Sequence, residues 1–127
     1  MLQQRSYDSV RNCVTVISID RAELLSRLRE IARQIRSEHP EVTDVRVFGS
    51  IARGDQVGTS DLDVLILLAE DGGQDPIERV MAFYPYFDLP IGVDILVYTE
   101  QELARRLESD DLAFHRVWRE CRQVLPP

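Results

Sequence analysis

Two strand-like runs of this chain carry aspartate among residues that ordinarily fill a sheet interior. One runs from Asp61 to Ala69 and the other from Ile91 to Tyr98, and both are rich in Val, Ile and Leu. Side chains alternate faces along a strand, so Asp61 and Asp63 point one way while Leu62 and Val64 point the other. Asp94 shares a face with Leu96 and Tyr98, opposite Val93, Ile95 and Val97. Its β-branched flanks predict a strand central to the sheet, where an unpaired carboxylate would cost several kcal/mol. If the two strands are neighbours, the three carboxylates converge. Like charges so placed raise one another's pKa values and favour a divalent cation. Oxygen-only donors select a hard metal, and Mg²⁺ is the usual choice where phosphates complete its shell.

A second feature lies just upstream. Val42 to Phe48 reads as a strand that ends at Gly49-Ser50, followed by a short helical turn punctuated by Gly54 and Gly58. A glycine and a serine opening a helix after a strand present free backbone N–H groups and a hydroxyl, which suits an anion. Gly49 lets the backbone approach a phosphate closely. Arg53, about one helical turn on, can add a charge-assisted bond. An anion cradle beside a carboxylate cluster is the arrangement that nucleotidyl transfer requires.

The remaining segments supply the frame. Val14 to Ile19 is strand-like, and Asp20 stands as the N-cap of a helix with Leu24, Leu28, Ile31 and Ile35 inward, stopping near His39-Pro40. Residues 75–88 predict a helix broken at Pro85. Thr99 with Glu102 forms a capping-box pattern opening another helix. A last helix is expected at about 111–121 with Leu112, Val117 and Trp118 inward. The aromatic run Phe83-Tyr84-Pro85-Tyr86-Phe87 is read as core packing, His39 and His115 as surface residues, and Glu100 to Arg106 as a solvated helix face. Helices between strands predict an α+β chain, a small mixed β-sheet flanked by helices. A length of 127 residues suits one domain over 1–127, with 1–13 peripheral or poorly ordered.

Composition narrows the function. The formal charge is −7, opposite in sign to a protein that grips nucleic acid through phosphates. All 15 basic residues are arginine, which excludes a Walker-A, Schiff-base or general-base lysine. No apolar run is long enough to span a membrane, and no secretory signal opens the chain. Cys13 and Cys121 lack metal spacing and read as free thiols, so a cytoplasmic location is expected.

Phe48-Gly49-Ser50, ten residues, Asp61-Leu62-Asp63 and then Val93-Asp94-Ile95 together resemble the DNA polymerase β-like nucleotidyltransferase superfamily. Ala52-Arg53-Gly54 and Ser60-Asp61 resemble its minimal nucleotidyltransferases, the antitoxins of HEPN toxin–antitoxin pairs. The resemblance covers about residues 20–125 and rests on 47–64 and 93–95. It implies the polymerase β-like fold. It also implies Mg²⁺, as two ions, on Asp61, Asp63 and Asp94, which are then both the metal-binding and the catalytic residues. ATP is the implied substrate, its phosphates on Gly49, Ser50 and Arg53. The implied reaction is AMP transfer to a hydroxyl, a tyrosine of a HEPN toxin, in a type VII-like toxin–antitoxin pair. Two alternatives stay open. One is a small-molecule nucleotidyltransferase of the antibiotic-modifying type, with a homodimer supplying the acceptor wall. The other is an antitoxin that inhibits its partner by binding alone.

Overall fold

The computed structural model describes residues 20–54 and 61–125, so the expected strand at 14–19, the peripheral segment 1–13 and Cys13 lie outside it. The first helix, α1 (Arg21–Glu38), buries Leu24, Leu28, Ala32 and Ile35. Ile31 sits at the rim of that stripe and Ala32 occupies the inner position. Asp20 is the N-cap residue by position but makes no side-chain capping bond. Strand β1 (Val42–Phe48) follows, then the single turn α2 (Gly49–Arg53) and strand β2 (Leu62–Leu68).

A capping box at Asp75 and Glu78, with Pro76 in the first turn, opens α3 (Pro76–Phe83). It gives way at Pro85 to a 3₁₀ turn (Tyr84–Tyr86), as a proline inside a helical run demands. Strand β3 (Val93–Thr99) leads into α4 (Glu100–Glu108) through the Thr99–Glu102 capping box. Helix α5 (Leu112–Glu120) and the two-residue strand β4 (Arg122–Gln123) complete the chain. No helix among the described residues is long and apolar enough to cross a membrane.

The sheet order is β3-β2-β1-β4. β1 pairs antiparallel with β2 and with β4, while β2 and β3 run parallel, joined through α3. β2 is thus central and covered on both faces, which explains its unbroken apolar sequence from Val64 to Leu68. One face, through Val64, Ile66, Val45, Val47, Ile95 and Val97, packs on α1 and on Phe83 and Phe87. The other, through Leu65 and Leu67, packs on Leu103 of α4 and Phe114 of α5.

Four expectations are corrected by this architecture. Among the described residues β3 lies at the edge of the sheet, and Asp94 is exposed rather than buried in a central strand. The apolar flanks of Asp94 instead reflect the one covered face of β3, where Ile95 and Val97 are buried. Leu112 is 79% exposed, and Phe114 fills the inward position of α5. His39 is half-buried, its ring 5.0 Å from that of Phe83 and its Nε2 3.1 Å from the Tyr86 hydroxyl. Within the aromatic run Phe83 and Phe87 enter the core and Tyr86 packs against it, so the exception is Tyr84, which is exposed.

Candidate active site

β-pairing places the aspartates. In the parallel pair, Asp63 of β2 lies directly opposite Asp94 of β3, so both side chains leave the same face of the sheet. On the other side, Asp63 lies opposite Phe48, the last residue of β1. The chain then turns into α2 at Gly49, whose φ of 74° is a left-handed conformation. A Cβ at Gly49 would overlap the Asp63 carboxylate oxygen Oδ2. The residue opening α2 therefore has to be glycine for two separate reasons, its own backbone and the carboxylate above it.

Asp61 enters from the start of β2. The Leu62 N–H donates to Gly92 O at 2.8 Å, beginning the ladder between the strands. A Cβ on Gly92 would stand 2.7 Å from Asp61 Oδ1. Gly92 went unnoticed in the sequence. The available signal was a glycine two residues before the aspartate of an otherwise β-branched strand, which marks a close approach. Substituting Gly92→Ala is expected to displace Asp61 and lower the transfer rate on the order of 10²-fold. The fold should lose only about 1 kcal/mol, because the obstructing group is the tip of an exposed side chain. Thermal melting alongside a rate measurement checks both values, and adding Asp61→Ala should restore the lost stability.

The electrostatics agree with convergence. Burial pushes the Asp63 carboxyl above its ordinary pKa, and the negative charges of Asp94 and Asp61 push it the same way, while Arg53 acts in the opposite sense. Asp63 is half-buried, whereas Asp61 and Asp94 are exposed. Arg53 Nη1 stands 3.2 Å from Glu120 Oε1 of α5. Arg21 of α1 donates through Nε to Ile51 O at 3.0 Å and fixes the C-terminal end of α2. Both contacts tie down the C-terminal half of α2, the turn that Gly49 and Ser50 open.

Among the described residues, no three His, Cys, Asp or Glu side chains are already closed into a metal-holding group. The donor set still fits a hard cation, being oxygen only, with Asp63 held in a site that disfavours its own charge.

The chain belongs to the nucleotidyltransferase domain family, whose model matches residues 27–121. Among curated proteins it is similar to "Putative protein adenylyltransferase MJ1215" of Methanocaldococcus jannaschii, 41% identical over 49 residues. That match covers 36% of this chain and 57% of the relative, so it spans less than two thirds of the relative's length. A crystal structure of a "putative nucleotidyltransferase" from Sulfolobus solfataricus superposes with a TM-score of 0.56 at 29% identity, covering 67% of this chain and 75% of that one. A "putative minimal nucleotidyltransferase" gives 0.53 at 27% identity over 86% of this chain and 97% of its own. The toxin–antitoxin MntA-HpeT, at 22% identity, gives 0.53 over 79% of this chain and 72% of that one and shares the fold. The α+β architecture, with its mixed sheet and flanking helices, is the nucleotidyltransferase fold.

Proposed function

We propose that this chain transfers AMP from ATP to a hydroxyl, a tyrosine of a partner HEPN toxin, and thereby acts as its antitoxin. The observation that carries the transfer reading is the row Phe48–Asp63–Asp94 across three strands, with the Gly49–Ser50 turn against Asp63. The likeness to "Putative protein adenylyltransferase MJ1215" favours a protein acceptor, and the toxin–antitoxin structure that shares the fold favours a toxin as that protein.

Asp61, Asp63 and Asp94 would hold Mg²⁺, which when bound supplies positive charge to the reacting phosphate oxygens. Backbone N–H groups at Gly49 and Ser50 bind the β- and γ-phosphates, with Arg53 offsetting their charge. Asp94, exposed on β3, is the carboxylate that takes the proton of the acceptor hydroxyl. The acceptor oxygen bonds to the α-phosphorus as the bond to the β-phosphate bridge breaks, and pyrophosphate leaves. Incubation with α-labelled ATP, Mg²⁺ and the protein encoded by the adjacent gene tests the reading. Label on a tyrosine of that protein is expected, and absence of label under conditions where the two proteins bind would refute it.

A further inference from the structure

The described residues leave five large hydrophobics exposed, and three of them lie on α3 and the turn that follows it. Ile77 (74%), Met81 (59%) and Tyr84 (38%) follow one another at i, i+4 and i+7 along α3 and its 3₁₀ extension. Leu96 lies on β3, the strand whose outer edge has no partner among the described residues. Helical spacing makes the first three a continuous stripe, and α3 packs beside β3. A strand edge left unpaired by the described residues, with an apolar stripe beside it, supplies the elements of strand-addition recognition.

At the C-terminal end of the same edge is a cavity of about 400 Å³ lined by Pro76, Arg79, Val97, Tyr98, Arg105 and Arg106, among others. Arg79 is buried, bound to Glu102 at 2.7 Å and Asp71 at 3.2 Å, and its Nε has no hydrogen-bond partner. Arg106 holds Asp111 at 2.9 Å and donates to the Tyr98 hydroxyl at 3.1 Å. Arg105 is exposed and makes no ion pair among the described residues. A chain with a net charge of −7 thus presents, among its described residues, a cation with no ion pair at the end of this strand.

We propose that this flank receives an extended segment of the acceptor protein, paired with β3, its apolar side chains on the α3 stripe and a carboxylate at Arg105. The inference rests on the transfer reading and adds how the acceptor is recognised. Tyr98, at the cavity, lies four residues beyond Asp94. At about 3.3 Å per residue, a paired segment reaching from the cavity to Asp94 covers about 13 Å. A residue aligned with Asp94 would project its side chain on the Asp63–Asp94 face. The preferred acceptor therefore carries an acidic residue about three to five positions from the modified tyrosine. A second copy of this chain is disfavoured as occupant, since both would bring the same acidic charge and their own Asp94 to the shared edge.

The test uses peptides of about twelve residues, each with one tyrosine and alternating valines. They carry either glutamates or lysines at three to five positions from the tyrosine. Without ATP, the glutamate peptide is expected to bind about tenfold more tightly than the lysine peptide, shifting the amide resonances of residues 93–99. Arg105→Glu should reverse that preference, Ile77→Glu should weaken both peptides, and Asp63→Asn should leave docking intact. Equal binding of the two peptides, or amide shifts confined to other elements, overturns the proposal. So does a dimer in sedimentation that Ile77→Glu abolishes. Docking without label transfer would refute the transfer reading alone, and transfer without charge preference would refute the docking surface alone.

Discussion

Asp63→Asn is expected to reduce nucleotidyl transfer on the order of 10³-fold or more while leaving a protein that melts about 1–3 °C higher. Both effects have one origin. Asp63 is the half-buried member of the three aspartates, raised in pKa first by burial and then by Asp94 and Asp61. Its ionised form is therefore tolerated by the fold rather than favoured by it, and asparagine keeps the shape while removing the charge. The sign also fixes the pH behaviour. A carboxyl whose folded pKa lies above its unfolded value stabilises the fold fully below the unfolded pKa, and that contribution is lost as pH rises through the folded pKa. In chelator, the stability gap between variant and wild type should thus close on acidification and open toward neutrality. If the variant neutralises the proposed toxin partner undiminished, binding alone silences that partner and the transfer step is superfluous.

The second large effect is expected at the turn. Gly49→Ala should cost about 2–4 kcal/mol and lower transfer by at least about 10²-fold. Its φ of 74° strains any L side chain, and the new methyl would overlap Asp63 Oδ2. Gly54→Ala separates these causes. Gly54 has a φ of 84°, but a Cβ there meets only Arg21 atoms at 3.9 Å. It should cost about 1 kcal/mol from backbone strain alone and retain transfer. Chemical denaturation of both variants beside a transfer assay checks the contrast. Equal losses of transfer would mean that the turn's shape matters and the Asp63 contact does not.

What the sequence disclosed follows from how local each feature is. The strands around Asp63 and Asp94, the Gly49 turn and the Thr99 capping box are written in alternation, glycine and caps within a few residues. Strand position in the sheet is not local. Val93-Asp94-Ile95 has β-branched flanks whether the strand is central or covered on one face only, so these flanks do not disclose the exposure of Asp94. Leu112 and Phe114 are both apolar on one short helix, and only the Leu65–Leu67 surface decides that Phe114 turns inward. Arg79 gave no sign of burial, because its partners Glu102 and Asp71 come from other elements. Gly92 was legible in principle, but its purpose depends on Asp61, which is thirty-one residues away along the chain.

Calorimetric titration of ATP into the wild-type protein and into Asp63→Asn, each in Mg²⁺ and in chelator, tests the core of this account most directly. The carboxylate row and the Gly49–Ser50 turn together predict binding to wild type that weakens at least about tenfold in chelator. They predict that Asp63→Asn, still folded, binds equally weakly in both conditions. Binding of ATP with the same affinity in all four titrations would contradict it.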